Sequence, residues 1–164
     1  MGAESVTVCF TGNPNCGKTT LFNAYTGAGK KTANWPGVTV ELSEGSLMHR
    51  GRPVRLVDTP GIYSLDPYTM EETVTRQCIR DQKADVIIHV ADALLLERSL
   101  FLTMQLLAEG KPLVLALNMM DLVRERGMDI DTEGLSRLLG GIPVIPVSAR
   151  RRTGLEELMD AAVE

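Results

Sequence analysis

Residues 6–20 read VTVCFTGNPNCGKTT, and this stretch decides the fold. Its first five residues are a short apolar run of the kind that forms a buried strand. Gly12 to Thr19 then match the pattern G-x-x-x-x-G-K-[ST], and a helical pattern begins at Lys18. A glycine-rich turn between a strand and a helix directs backbone N–H groups and the positive end of the helix dipole at phosphate groups. The stretch therefore predicts a phosphate-binding loop.

Short apolar runs alternate with helical patterns along the rest of the chain, which is typical of a sheet built from β-α-β units. Further strands are predicted over residues 38–48, 53–57, 85–91, 113–117 and 144–147, and helices over 18–27, 97–109, 131–139 and 154–163. Residues 30–37 have no periodicity and are predicted to form a loop. We expect an α/β fold with a mostly parallel six-stranded sheet, one antiparallel edge strand and about five flanking helices.

Composition narrows the class of protein. The 164 residues are the length of one domain, 1–164, and the net charge of -4 with a pI of about 5.3 argues against a nucleic-acid partner. The three adjacent arginines at 150–152 are expected to be a solvated turn. Three cysteines without a C-x-x-C pair indicate neither a disulfide framework nor a zinc site. Because no run of 18 apolar residues occurs, this chain is not expected to enter a membrane.

Three more candidate sites follow predicted strands. Asp58 begins the sequence DTPG, where a carboxylate can hold Mg²⁺ and the N–H of Gly61 can reach a terminal phosphate, although DTPG is also a common turn. Asp121 ends the sequence NMMD, and its carboxylate can accept N1–H and N2–H of guanine, a pair that adenine does not offer. The alternative for Asp121 is a helix N-cap. The third site is the loop formed by Ser148, Ala149 and Arg150.

The order and strand-end placement of these sites resemble the GTPase superfamily and its P-loop GTPase fold. More narrowly, the chain resembles the N-terminal cytosolic domain of the ferrous-iron transport protein B family. The stretches that carry the resemblance are GNPNCGKTTLFN at 12–23, NWPGVTVE at 34–41, DTPGIYSL at 58–65 and ERSL at 97–100. Met119 stands where the usual GTPase motif N-K-x-D has lysine, and this too looks like the family's version.

The resemblance implies roles for individual residues. The residues expected to take part in hydrolysis are Lys18, Asn15, Thr39 and Gly61, and those expected to bind Mg²⁺ are Thr19, Thr39 and Asp58. The full set expected to contact GTP or GDP is Asn13, Asn15, Cys16, Gly17, Lys18, Thr19, Thr20, Gly37, Val38, Thr39, Asp58, Gly61, Asn118, Met119, Asp121, Ser148, Ala149 and Arg150. By similarity to potassium-stimulated GTPases, Asn15 and the backbone carbonyls of residues 33–35 would bind K⁺; the alternative is that Asn15 only stabilises the turn.

Hydrolysis is expected to be slow and K⁺-stimulated. Ras-type enzymes orient water with a glutamine after D-x-x-G, but Ile62 occupies that position here, and the sequence identifies no arginine that would neutralise developing charge. Residues 30–40, which include Trp35, are expected to be a switch that orders on the γ-phosphate. Cys16 is expected to be an accessible thiol with a lowered pKa, because it lies at a helix N-terminus beside Lys18.

Three classes of function are compatible with these sites. The resemblance implies a GTPase that regulates or drives Fe²⁺ uptake by a transmembrane permease domain of the same polypeptide, on the cytoplasmic side of the bacterial inner membrane. On that view the chain is a domain excised from a longer membrane protein. The second class is a soluble potassium-stimulated GTPase of ribosome assembly or tRNA modification, and the third is a module that holds a partner. The acidic pI and residues 34–41 favour the first.

Overall fold

The computed structural model describes residues 5–66, 68–81 and 84–163. Its strands are β1 (Val6–Gly12), β2 (Lys31–Asn34), β3 (Glu41–His49), β4 (Arg52–Asp58), β5 (Val86–Asp92), β6 (Leu113–Asn118) and β7 (Val144–Pro146). Its helices are α1 (Lys18–Thr26), α2 (Met70–Asp81), α3 (Leu96–Ala108), α4 (Met120–Glu125), α5 (Thr132–Leu138) and α6 (Leu155–Val163).

The strands form one sheet in the order β2-β3-β4-β1-β5-β6-β7. From β4 to β7 all neighbouring strands are parallel, whereas β3 is antiparallel to both β2 and β4. The α/β class and the single reversed strand are therefore confirmed. The predicted number of strands is wrong by one, and the reversed strand does not lie at the edge, because β2 pairs outside it.

β2 lies where the sequence predicts a loop. Its four side chains are all exposed, so it has no alternation of apolar and polar residues that a sequence pattern could reveal. Backbone pairing with β3 holds it in place, from Lys31 opposite Glu44 to Asn34 opposite Glu41. An exposed edge strand of this kind is defined by its partner rather than by its own residues.

Two helices were also not predicted. In α2 one face is buried, but two of its four buried residues are Thr75 and Cys78, which weaken the apolar signal of Val74 and Ile79. The other, α4, has only six residues, too few to show a helical period. The molecule therefore has six α-helices in its described part rather than about five.

The two faces of the sheet are covered by different helices. Residues of α1 and α6 pack with one set of strand residues, and Phe10 meets Phe22 edge to face with ring centroids 5.7 Å apart. Residues of α2 and α3 pack on the opposite face around Ile87, and α4 and α5 extend that layer towards β7. Parallel strands covered on both sides read as continuous apolar runs, and β5 is buried from Val86 to Ala91.

This topology positions the candidate sites. The carboxyl ends of β1, β4, β5, β6 and β7 lie along one edge of the sheet because these strands are parallel, and ligands of open α/β sheets bind at that edge. Among the residues described, none of the helices has both the length and the apolar character that a membrane span requires.

His89 is a buried titratable group at the centre of β5. Its Nδ1 lies 2.8 Å from Thr103 Oγ1, and that hydroxyl donates to the Ser99 carbonyl oxygen at 3.1 Å. Nδ1 and the Thr103 hydroxyl share a hydrogen bond whose direction depends on the tautomer of the ring. Nε2 has no hydrogen-bond partner within the described part of the chain. Burial lowers the pKa of His89 from 6.5 to about 3.

His89 should make the protein less stable in mild acid. Because the folded pKa lies below the unfolded value, the unfolded state binds the extra proton as pH falls below about 6.5, and stability that is complete above this pH is lost. The loss due to His89 between pH 7 and pH 5 is roughly 2 kcal/mol. Urea unfolding at both pH values should show that His89→Leu removes this loss and that His49→Gln, a change at the other histidine, retains it. An unchanged pH dependence in His89→Leu would contradict the assignment.

Candidate functional site

Two adjoining cavities lie at the carboxyl edge of the sheet. The first has a volume of about 380 Å³ and is lined by Asn13, Pro14, Asn15, Gly17, Lys18, Thr19, Thr20 and Gly61. The second has a volume of about 160 Å³ and is lined by Gly17, Thr20, Asn118, Met119, Asp121, Leu122, Ser148, Ala149 and Arg150. Gly17 and Thr20 line both cavities. The fold therefore brings together residues that are up to 137 positions apart, from Asn13 to Arg150.

The loop between β1 and α1 has the backbone shape that an anion requires. Asn15 and Gly17 both have positive φ, 67° and 84°, so the chain curls before the helix starts. A Cβ atom at position 17 would collide with the Asn118 side-chain amide, so only glycine fits there. No side chain caps the start of α1, and its first N–H groups remain available to a ligand. Asn13 is buried beside them, with its Oδ1 unpartnered among the described residues.

Lys18 and Thr19, which line the first cavity, form a compact charged group with Asp58, which does not itself line it. Lys18 and Asp58 are buried, and Lys18 Nζ donates to Asp58 Oδ1 and to the Thr59 carbonyl oxygen. Thr19 Oγ1 donates to Asp58 Oδ2 at 3.2 Å. Hydroxyl and carboxylate oxygens are the ligands that Mg²⁺ prefers, so this pair fits the predicted magnesium site.

The segment after β4 is held both by β1 and by α3. Ile62 N–H donates to the Gly12 carbonyl oxygen at 2.9 Å, and Leu65 N–H donates to Gln105 Oε1 of α3 at 2.7 Å. The side chains of Ile62 and Leu65 are buried with Leu102 and Leu106. Ile62 is thus part of the core.

Gly61 lies directly against the phosphate-binding loop. A Cβ atom at this position would be 3.0 Å from Pro14 Cα, which is a tight contact, so the close approach of the two backbones favours glycine. The residue lines the first cavity, as expected for a group that reaches a terminal phosphate.

Asn118 joins the two cavities through its side-chain amide. Its Nδ2 donates to the Cys16 carbonyl oxygen, and its Oδ1 accepts from the Ala149 N–H, both at 3.0 Å. The side chain is buried, so it fixes the distance between the loop after β1 and the loop after β7. The sequence indicates that Asn118 belongs to the site but does not reveal this bridging contact.

Asp121 is an ionised carboxylate in the wall of the second cavity. Only about 10% of its side chain is exposed. This burial acts to raise the pKa of Asp121, but hydrogen bonds from the Ser148 side chain, the Leu122 N–H and Arg151 outweigh it and lower the pKa below its ordinary value. Met119, at φ 67°, precedes the helix that carries Asp121.

Cys16 does not have the environment that the sequence predicts. Its side chain is buried in the core cluster that also contains Phe10 and Phe22, and burial raises the pKa of the thiol to about 11 although Lys18 acts in the opposite direction. The expectation of an accessible thiol with a lowered pKa is therefore wrong. In this loop the backbone faces the ligand cavity while the Cys16 side chain faces the protein interior.

Gly37, Val38 and Thr39, which belong to the predicted switch over residues 30–40, do not line either cavity in this structure. Residues 33–36 line a separate groove of about 320 Å³ together with Leu42 and Val57. Trp35 closes the turn there, since its N–H donates to the Val40 carbonyl oxygen at 2.7 Å and its own carbonyl accepts from Val38 N–H at 3.2 Å. The predicted roles of Thr39 and of the carbonyls of residues 33–35 thus require another position of this segment.

Two arginines near the site were not identified from the sequence. Arg98 of α3 lies over the ring of Tyr63, 5.5 Å from its centroid. Arg151, expected to be part of a solvated turn, donates to Asp121 Oδ2 at 3.3 Å and to Glu125 Oε1 at 3.1 Å. None of the three partners is close in sequence to its arginine, so no local pattern could have indicated these contacts.

Comparison with known proteins places this geometry in a family. The model of the family described as ferrous iron transport protein B matches residues 6–162. The Fe(2+) transporter FeoB of Legionella pneumophila (strain Paris) is 47% identical over 154 residues, which is 92% of this chain and 20% of the relative. The chain thus spans about a fifth of the length of this relative.

Solved structures give the same result. The cytosolic domain of the T. maritima FeoB iron transporter in GDP form I has a TM-score of 0.94 and 41% identity, covering 99% of this chain and 64% of that one. The same domain in its GMPPNP form has a TM-score of 0.93 and 42% identity, covering 96% of this chain and 62% of that one. These domains share the fold of this chain.

The Asn118 bridge should contribute to stability. Asn118→Ala removes both hydrogen bonds and leaves a buried carbonyl and a buried N–H without partners, so we expect a loss of about 2–4 kcal/mol in the free energy of unfolding. Urea denaturation with fluorescence detection measures this loss. The matched control is Asn34→Ala, at an exposed position in β2, which should change stability by less than about 0.5 kcal/mol. Equal effects in the two variants would show that the bridge is not structural.

Proposed function

Because the chain belongs to the ferrous iron transport protein B family, we propose that it is the guanine-nucleotide-binding domain of an Fe²⁺ transporter and that it hydrolyses GTP to GDP and phosphate. The observation that carries this proposal is that Lys18, which is paired with Asp58, and the Asp121 carboxylate line two cavities that share Gly17 and Thr20. The cavities are adjacent, as the phosphate and base ends of one nucleotide require. Related domains solved in GDP and GMPPNP forms support the proposal.

The first cavity would take the phosphates. The N–H groups at the start of α1 would bind phosphate oxygens, and Lys18, which has Asp58 as its anionic partner, would donate to the β- and γ-phosphates. Thr19 and Asp58 would hold Mg²⁺, with Thr39 as a further ligand once the predicted switch over residues 30–40 closes. When bound, Mg²⁺ would neutralise phosphate charge. The N–H of Gly61 would contact the γ-phosphate, which GDP lacks.

The second cavity would take the guanine base. Asp121 would accept N1–H and N2–H. Three N–H groups of this loop already have acceptors. The Ser148 N–H donates to the Thr153 carbonyl oxygen, the Ala149 N–H to Asn118 Oδ1, and the Arg151 N–H to the Ser148 hydroxyl. The remaining N–H of this loop belongs to Arg150, and we assign it to guanine O6.

Slow intrinsic hydrolysis follows from the place of Ile62 in the core, because no side chain at this position can orient the attacking water. Asn15 lines the first cavity, so its side-chain oxygen can help to bind a monovalent cation beside the phosphates. The donor set for K⁺ is incomplete in this conformation, since residues 33–35 lie at the separate groove. When bound, K⁺ would supply the positive charge that an arginine supplies in other GTPases.

Iron transport would be the activity of the longer polypeptide. The named relatives are Fe(2+) transporters of which this chain spans 20%, so we propose that a transmembrane permease in the same polypeptide is its partner, at the cytoplasmic side of the bacterial inner membrane. Family membership does not favour a soluble GTPase of ribosome assembly or tRNA modification. The dependence of Fe²⁺ transport on this domain can be tested by comparing Fe²⁺ uptake by the full-length protein with uptake by its Lys18→Ala variant.

Base choice should depend on Asp121. In the unmutated protein GDP should bind more tightly than ADP. Asp121→Asn replaces an acceptor with a donor, so GDP binding should weaken by about 2–4 kcal/mol while xanthosine diphosphate binding improves. Calorimetric titration measures both, and Asp129→Asn, on the exposed surface, is the control. Equal affinities of the unmutated protein for GDP and ADP would refute the assignment.

Hydrolysis should be faster in KCl than in NaCl at equal ionic strength. Asn15→Ala should lose most of this difference but still bind GDP, because the loop backbone and Lys18 carry the phosphate contacts. An arginine finger contributes roughly 10³–10⁵ in rate, and K⁺ is expected to supply part of such a factor. Steady-state phosphate release is the measurement. Equal rates in the two salts would leave Asn15 with a structural role only.

A further inference from the structure

Arg151 connects the loop after β7 to helix α4. Its Nε donates to Asp121 Oδ2 at 3.3 Å and its Nη2 donates to Glu125 Oε1 at 3.1 Å. Asp121 and Glu125 are four residues apart in α4, so they project from the same face of the helix. The Arg151 N–H also donates to the Ser148 hydroxyl at 3.1 Å, which fixes the backbone from which the guanidinium extends.

Arg151 is much more exposed to solvent than the Asp121 carboxylate that it contacts. Asp121 lines the second cavity, but neither Arg151 nor Glu125 does. The side chains of Arg151 and Glu125 are each 54% exposed, whereas that of Asp121 is only 10% exposed. Of these three residues, Asp121 is therefore the one that borders the cavity, while Arg151 and Glu125 belong to its surroundings.

This placement matters because recognition of guanine depends on the plane of the carboxylate. The torsion that rotates an aspartate carboxylate has a broad energy profile, so the group adopts one orientation only when its neighbours hold it. The usual lysine of this motif is replaced by Met119, which offers no hydrogen-bond donor. Arg151 and Ser148 are the side chains that hold the Asp121 carboxylate.

We propose that Arg151 is a positioning residue for base recognition, which holds the Asp121 carboxylate in the orientation that accepts both N1–H and N2–H of guanine. This inference rests on the proposed role of Asp121 in guanine binding. It predicts that Arg151 increases the preference of the site for a base that carries the 2-amino group over one that lacks it. Glu125 supports this function because it binds the far side of the guanidinium.

The test compares GDP with inosine diphosphate, which keeps N1–H but lacks the 2-amino group. Dissociation constants are measured by displacement of a fluorescent GDP analogue. In Arg151→Ala, GDP affinity should fall by about tenfold, because one hydrogen bond to a charged group is weakened. Inosine diphosphate affinity should fall much less, so the ratio of the two constants narrows. Glu125→Gln should also narrow the ratio of the two dissociation constants. In Arg151→Lys the ratio should lie between that of Arg151→Ala and that of the unmutated protein.

Arg124→Ala is the matched control, since it removes the same charge from an exposed position on α4. Its nucleotide ratio should equal that of the unmutated protein, and circular dichroism confirms that each variant is folded. Equal losses of GDP and inosine diphosphate in Arg151→Ala would overturn the inference, and so would tighter GDP binding in that variant. If the unmutated protein does not prefer GDP to ADP, the proposed role of Asp121 fails, and the inference fails with it.

Discussion

The site depends on the buried pair formed by Lys18 and Asp58. An uncompensated charge in the protein interior is costly, so a lysine that is to bind phosphate from a buried position needs an anionic partner when no phosphate is present. Asp58 supplies that partner from the end of β4, and Thr19 binds the second oxygen of the same carboxylate. A phosphate that approaches Lys18 would therefore compete with Asp58 and with the Thr59 carbonyl oxygen for the same ammonium group.

The segment after β4 is joined to helix α3. Ile62 and Leu65 are buried with Leu102 and Leu106, and Gln105 accepts from the Leu65 N–H. A movement of Gly61 towards a γ-phosphate would pull on these contacts, because packed side chains shift together rather than deform. The same contacts explain why position 62 holds isoleucine: a glutamine there would place an amide in the apolar contact between the two elements.

The sequence predicts those parts of the structure whose environment imposes a local pattern on the residues. β1, β5 and β6 are buried on both faces, so they appear as apolar runs, and the loop after β1 has a motif whose glycines are required by its geometry. All four side chains of β2 are exposed, so its sequence has no apolar pattern that would predict a strand. Cys16 shows another limit, because the motif determines the course of the backbone but not which way a side chain points. The Arg151–Asp121 contact joins residues 30 positions apart, and only the fold brings them together.

The predicted switch over residues 30–40 would allow the protein to distinguish two nucleotides that differ by one phosphate. Trp35 packs beside the cluster of Cys9, Val57, Cys78 and Ala84, and the turn it closes keeps Thr39 away from the first cavity. Moving Thr39 to a metal ion at the phosphates would expose part of the Trp35 side chain and break the hydrogen bond from Trp35 to Val40. Only a ligand that adds new contacts in the moved state can offset these losses.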